Sequence, residues 1–373
     1  MDRRSFLKTA GLAAGVFAAA PVARTALAAD APPAVPFAPS PEAGWRVFEL
    51  TTRVELIKPA GAAQVWLPLP SVHDEAWMRP MGNLWQGNAD AMRVVTDPLY
   101  GASMLHARWE AGDAPLVEVV SRFAARDRAV DFTRAGRATP LTAAERRLFT
   151  MATELLPTDG IVRKTALEAT RGATTDEAKA RALYEWVVAN TVREPKTRGC
   201  GLGDIAAMLE SGNLGGKCAD LNSLFVGMAR AVGLPARDVY GLRVADSRFG
   251  YKSLGKSGDV SKAQHCRAEV WLEAHGWVPV DPADVRKVML EEPPGNRGLD
   301  DEKVRMVHAK LFGAWETNWV ALNHAHDLAL PGSAGPKVPF LMYPQAETAA
   351  GRADSLDPKA FAYTLTAREI PVV

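Results

Sequence analysis

From Trp45 to Ala125 apolar and polar residues alternate in short runs broken by Gly, Pro, Asn and Asp. WRVFELTTRVELI, AAQVWLPLP, AMRVVTDP, SMLHARWE and LVEVVSRFAA each have strand length and the two-residue period of a half-buried strand. Several short strands at this spacing predict an antiparallel β-sandwich over residues 45–135.

Near residue 140 the period becomes helical. Thr142 with Glu145 forms a capping-box pattern ahead of RRLFTMATELL, which Pro157 stops, and Thr174 with Glu177 repeats it ahead of AKARALYEWVVAN. DIAAMLESG reads as a short helix. Behind Cys218, the residues Leu221, Leu224, Phe225, Met228 and Val232 recur every three or four positions, and Gly233 and Pro235 end the run. Strands follow in ARDVYGLRV and in HCRAEVWLEAHGWVPVDP, which reads as a hairpin. Trp315 and Trp319, four apart, are expected on one helix face. PFLMYP and AFAYTLTAREI read as late strands, and Leu299–Arg305 as a solvated helix start. Strand-rich first and helix-led afterwards, the chain is expected to be α+β.

The N-terminus carries a different pattern. Arg3-Arg4-Ser5-Phe6-Leu7-Lys8, a short apolar run and Ala26-Leu27-Ala28 resemble a twin-arginine export signal over residues 1–28, cleaved near Ala28-Ala29. Ala10–Ala20 is too short for a membrane span, so the expected product is periplasmic with no membrane anchor after cleavage. Its first partner is then the twin-arginine export machinery. Residues 29–44, AADAPPAVPFAPSPEA, read as an Ala/Pro-rich linker.

Lys+Arg total 44 against 43 Asp+Glu, which removes the basic surplus expected of a nucleic-acid binder. Export gives the three cysteines meaning. An oxidising compartment permits disulfides, and the odd number leaves at least one thiol unpaired. If Cys218 is free, Cys200 and Cys266 could pair with each other or both stay reduced.

Cys218 stands in GGKCADLNSLF, at the expected start of a helix. Free N–H groups and the dipole there favour a thiolate and could stabilise an oxyanion, and Gly215 and Gly216 would permit close approach. A buried structural cysteine can begin a helix equally well, so the motif alone leaves nucleophile and core residue both open. A nucleophile needs a base. His265 opens the strand HCRAEVWL, and Asp281 ends the return strand. A three-residue loop, Glu273-Ala274-His275, would pair Leu272 with Gly276 and Arg267 with Asp281, setting Asp281 diagonal to His265 on one face. A two-residue loop would turn Asp281 to the opposite face.

GGKCADLNSLFVGMARAVGLPAR and HCRAEVWLEAHGWVPVDP together resemble the transglutaminase-like superfamily, a branch of the papain-like thiol enzymes. Four segments occur in the family's order: Cys at a helix start, Gly-Leu-Pro-Ala-Arg, His-x-x-Ala-Glu-Val, and Val-Asp-Pro. The resemblance implies a papain-like core within 175–290 of a thiol domain spanning 140–373. It implies Cys218 as nucleophile, His265 as general base and acid, and Asp281 as orienting carboxylate, with no cofactor. The implied substrate is a peptide or protein amide, cell-envelope material included, and the implied activity is that of a peptidase or amidase. An acyl transferase and a non-catalytic peptide- or protein-binding member are the alternatives.

Gly216-Lys217-Cys218-Ala219 replaces the Gly-Gln-Cys-Trp of animal cross-linking relatives, which speaks against cross-linking. Trp186, Asn213 and Gln264 are candidates for a second oxyanion donor beside the Cys218 N–H. Asp220 is expected as a buried cap of the helix, and Lys217 either assists the thiolate or faces solvent. His324, His326 and Asp327 have a metal-ligand look, but no further ligand has suitable spacing, and the expectation is no metal.

Overall fold

The strand runs of the first third assemble into two five-stranded antiparallel sheets. The computed structural model describes residues 35–56, 61–111, 114–134, 136–359 and 361–371, so the expected signal over 1–28 and the first part of the linker lie outside the described residues. One sheet has the order Gly258–Asp259, Tyr363–Ile370, Trp45–Glu55, Leu116–Arg126, Met78–Gly87; the other runs Gly351–Arg352, Gln345–Thr348, Ala63–Pro68, Ser103–Trp109, Ala91–Thr96. Inward residues of both sheets, Val54, Val117 and Val119 of one and Val65, Leu67 and Leu105 of the other, share one apolar cluster. Met78–Gly87 carries no alternation legible in MRPMGNLWQG, because Pro80 and Gly82 interrupt it at a register shift.

The N-terminal segment does not close its sheets alone. Tyr363–Ile370 pairs with Trp45–Glu55 over eight residues, from Val47 opposite Ile370 to Val54 opposite Tyr363. Gln345–Thr348 pairs with Ala63–Pro68. Residues 35–373 accordingly form one unit, and the segment 345–370, expected within the 140–373 domain, completes the sheets of the 45–135 domain. The expected linker is also anchored from residue 35 on. Phe37 is buried with its ring 5.2 Å from Phe249 and 5.5 Å from Tyr251, and the Ser40 N–H donates to Asp127 Oδ2.

A third antiparallel sheet, ordered Gly276–Val280, Arg267–Leu272, Ala236–Arg243, Trp319–Asn323, forms the floor of the remaining half. Against it lies the helix Cys218–Ala231, all of whose fourteen residues are buried. Its apolar stripe meets the sheet and neighbouring helices, while its polar side chains bond inside the protein. Ser223 donates to Asp238, and Arg230 donates to the carbonyls of Ala236 and Met151. A buried polar group without a partner is destabilising, so these bonds permit a helix surrounded by protein. Gly233, at φ +85°, turns the chain out of the helix.

Local expectations shift in three places. The helix expected from the Thr174–Glu177 box begins one residue later, at Asp176, because Thr175 caps it by accepting the Ala178 N–H. The Thr142–Glu145 box forms, but its helix ends at Leu148. Trp315 and Trp319 lie in the short strands Ala314–Trp315 and Trp319–Asn323 rather than on a helix; the rings touch edge-on at 5.7 Å. Among the described residues no helix is long and apolar enough to cross a membrane.

Candidate active site

The start of the helix Cys218–Ala231 is built by Asp220. Its Oδ2 accepts the Lys217 N–H at 2.9 Å, while Oδ1 accepts those of Leu202 and Gly203 at 3.0 and 2.9 Å. The cap thereby ties the thiol to the preceding loop. It also explains Gly216, where a Cβ would stand 2.5 Å from that of Asp220. This glycine makes room for the cap, whereas the sequence suggested room for a substrate.

Cys218 is buried, and two other thiols flank it. All three cysteines are free, so Cys200 and Cys266 are not paired. Hydrogen bonds from Cys200 and Cys266, and with smaller weight the imidazole of His265, hold the Cys218 thiol well below its ordinary pKa against burial. The same contacts, with burial, push Cys200 and Cys266 upward. Cys200 Sγ also lies 3.3 Å from the Gln264 carbonyl, an alternative acceptor for its single proton, and the Cys200 carbonyl accepts the Ala219 N–H at 2.9 Å.

His265 reaches this thiol because the hairpin has the odd-length loop. Leu272 faces Gly276, Trp271 faces Trp277, and the ladder continues to Ala268 opposite Val280. Beyond it, His265 Nε2 lies 2.8 Å from Asp281 Oδ2. With Nε2 turned to the carboxylate, Nδ1 is the ring nitrogen left for Cys218. The backbone of His265 is fixed on both sides: its N–H donates to the Gly241 carbonyl at 2.9 Å, and its carbonyl accepts Trp319 Nε1–H at 2.7 Å. Gly241 is required there, since a Cβ would meet the Val320 carbonyl at 1.9 Å.

Asp281 caps the next helix, Pro282–Glu291, accepting the Asp284 N–H through Oδ1. One turn on, Asp284 Oδ1 comes within 3.4 Å of the same His265 nitrogen, and Arg243 Nη2 grips both Asp284 oxygens at 2.6 and 2.7 Å. Burial opposes the charged imidazole, but Asp284 and Asp281 outweigh it and raise His265 to about 9. Burial and the neighbouring Asp284 push Asp281 up. Asp284 itself is held well below the usual carboxylate range by Arg243, against burial.

His265, Asp281 and Asp284 are close enough to form a cation site. Arg243 already occupies both oxygens of Asp284, and Arg267 Nε lies 3.5 Å from Asp281 Oδ2. A metal would have to displace these guanidinium contacts.

The other candidates go elsewhere. Gln264 Nε2 donates to the Ser261 carbonyl, Asn213 Oδ1 accepts the Gly215 N–H, and the Ala219 N–H is committed to Cys200. Trp186 is half-buried against the thiol helix's core. His324 Nδ1 meets the Asp238 carbonyl and His326 Nε2 faces the Asp238 carboxylate, while Asp327 accepts the Glu154 N–H. The two histidines meet different groups of Asp238, and Asp327 serves Glu154, so the three side chains are not grouped as ligands of one ion among the described residues. Lys217 is half-buried at the helix start. Leu299–Arg305 leads into Glu302–Lys310, capped by Asp301.

Sequence reasoning missed Asn222, Asp284 and Arg243. Asn222 sits four residues after Cys218, and its polarity on an otherwise apolar face was the available signal. Asp284 falls three residues after Asp281, the spacing that puts two side chains on the same side of a helix start.

Residues 163–282 match the Transglutaminase-like superfamily. A Haemophilus influenzae protein, described as uncharacterized, is 34% identical over 343 residues, covering 87% of this chain and 92% of that protein. Among solved structures, a candidate cysteine protease from Cytophaga hutchinsonii aligns over 87% of this chain and 98% of its own, at 12% identity and TM-score 0.49. The periplasmic domain of TgpA from Pseudomonas aeruginosa aligns over 65% of this chain and 88% of its own, at 17% identity and TM-score 0.33.

Proposed function

The chain belongs to the transglutaminase-like superfamily through its 163–282 domain, and we propose that it is an exported thiol hydrolase that cleaves amide bonds of peptides or proteins through Cys218. The observation that carries this reading is the His265 imidazole between the Cys218 thiol and the Asp281 carboxylate, 2.8 Å from the latter.

The Cys218 thiolate adds to the amide carbonyl carbon. As the tetrahedral adduct collapses, the C–N bond breaks and His265 gives its proton to the departing amine. Water then attacks the Cys218 thioester, yielding a proton to His265; the C–S bond breaks and the carboxylic product leaves. Asp281 keeps the imidazole oriented through both half-reactions. The Cys218 N–H at the helix start is the oxyanion donor we assign, since the Ala219 N–H is already bonded. Hydrolysis is preferred over protein cross-linking because Lys217 and Ala219 stand where cross-linking relatives carry Gln and Trp.

Residues 1–28 direct the protein to the periplasm by twin-arginine export in this reading, where peptide amides of the cell envelope are the candidate substrates. The two five-stranded sheets form a β-sandwich beside the thiol domain. Replacing Arg3-Arg4 by two lysines should retain the protein in the cytoplasmic fraction; unchanged fractionation would reject that route.

The catalytic reading is tested by iodoacetamide labelling of the native protein across pH. Cys218 should react fastest of the three thiols and well below the free-thiol pKa of about 8.5. His265→Ala should slow Cys218 labelling and move its profile toward higher pH. Slow labelling with an unshifted profile in both proteins would reject it. Release of amines from a peptide and cell-wall-fragment panel then identifies the substrate.

A further inference from the structure

We propose that Asp284, fixed by Arg243, is a second positioning residue for His265, so that two carboxylates rather than one hold the imidazolium beside Cys218. The proposal rests on the reading of Cys218 and His265 as the reacting pair.

The geometry is that of a forked contact. His265 Nε2 lies 2.8 Å from Asp281 Oδ2 and 3.4 Å from Asp284 Oδ1. Both carboxylates come from the first turn of Pro282–Glu291, where Asp281 is the cap and Asp284 donates its N–H back to Asp281 Oδ1. The cap therefore sets the spacing between them. Asp281 is shared, because it also accepts Asn222 Nδ2–H. Asp284 is anchored from the opposite side, by two bonds from Arg243, whose Nη1 also donates to the Leu254 carbonyl.

Charge counting gives the role a sign. The groups facing His265 are Cys218 from its helix, Asp281 and Asp284 from theirs, Arg243 from the adjacent strand and Arg267 from its own. Cys266 flanks the thiol, and Glu316, whose carbonyl accepts Arg267, lies behind that guanidinium. With thiolate and imidazolium present, Arg243, Arg267 and His265 balance Cys218, Asp281 and Asp284. All six are buried. Without the Asp284 charge, two guanidiniums and the imidazolium face one carboxylate and the thiolate. The imidazolium then lacks one of the two carboxylates that stabilise it, so its proton passes more readily to the Cys218 thiolate, giving neutral imidazole and thiol at unchanged net charge. An opposite charge within ~4–6 Å shifts a pKa by about 1–3 units.

The test is the pH profile of Cys218 alkylation in the full chain, with near-UV circular dichroism as the folding control. Asp284→Asn should slow labelling at about pH 6.5 by roughly tenfold or more and raise the half-maximal pH by about 1–3 units. Asp284→Glu, which retains the charge, should restore part of the rate. A folded Asp284→Asn with the parent profile overturns the proposal and leaves the proposed function standing. If Asp284→Asn does not fold, Asp281→Asn decides. With Asp284 present its profile should fall between the parent and a free thiol near about pH 8.5, whereas a free-thiol profile overturns the proposal. Slow Cys218 labelling in the parent protein overturns both readings.

Discussion

Asn222 Nδ2 lies 3.2 Å from Asp281 Oδ1, joining the middle of the thiol helix to the carboxylate that holds His265. The same nitrogen donates to the Cys266 carbonyl at 2.8 Å, and Asn222 Oδ1 accepts the Ala283 N–H at 3.3 Å. One buried amide thus fixes the helix, the histidine strand and the carboxylate helix relative to one another.

Asn222→Ala should lower stability by about 1–3 kcal/mol, the penalty for leaving buried polar partners without their bonds. It should also slow Cys218 labelling at neutral pH, because Asp281 loses a bond that fixes it. Urea unfolding midpoints and alkylation rates measure the two effects. A stability loss with an unchanged labelling profile would confine Asn222 to packing.

The alkaline limb of stability should report His265. Its pKa stands at about 9 in the folded protein against an ordinary 6.5. The folded state therefore binds the proton more tightly than the unfolded chain. The stabilisation is fully present below about pH 6.5 and declines as the pH rises through about 9. His265→Gln should remove that decline from urea midpoints taken across the interval. A parent protein equally stable at both ends, once the lysines and tyrosines are allowed for by the variant, would contradict the raised value.

The acid limb should report His324, which has the opposite sign. Burial, with the nearby Arg237 charge, lowers it to about 3, so the unfolded chain takes up a proton that the folded protein refuses. This contribution is present above about pH 6.5 and is lost as the pH falls toward about 3. His106, lowered to about 4 mainly by burial, adds to the same slope. His324→Asn can retain a donor toward the Asp238 carbonyl while removing the titration. Its stability should fall less steeply between about pH 6 and pH 4 than the parent's. Parallel slopes would reject the assignment.

What the chain displays locally is what could be read from it. The pairing of Leu272 with Gly276 follows from a loop of odd length, and the strands of 45–126 other than Met78–Gly87 follow from alternation. The closure of both N-terminal sheets by 345–370 is a partnership across some three hundred residues, and no local period encodes it. Motif residues also divided in a way that spacing does not reveal. Arg237 and Glu269, each in a recognisable motif, stand opposite one another across two strands and form a buried pair joined by Arg128. They support the sheet, and take no part in the thiol site. Asp284 and Arg243 remained hidden because their pairing depends on how the cap at Asp281 aims the helix. The burial of all three thiols around one point was equally invisible, since Cys200 lies in a loop whose course is set by Asp220.

That thiol cluster yields the last prediction. The hydrogen bond from Cys200 is the largest influence lowering Cys218, followed by that from Cys266, with His265 behind them. If the thiols act as donors to a Cys218 thiolate, Cys200→Ala should raise the half-maximal pH of Cys218 alkylation, and Cys200→Ser should retain a donor and move it less. The variant leaves Cys266, His265, Asp281 and Asp284 in place, so a profile that does not move would give the depression to Cys266 and the imidazole. Combining Cys200→Ala with His265→Ala separates the two sources. Independent donors shift the profile by the sum of the single shifts, whereas a shortfall means that the Cys200 bond forms only once His265 has made the thiolate. Tyr343, whose hydroxyl accepts the Cys200 N–H at 2.9 Å, holds that loop in place. Tyr343→Phe should therefore reproduce part of the Cys200→Ala shift without removing any sulfur.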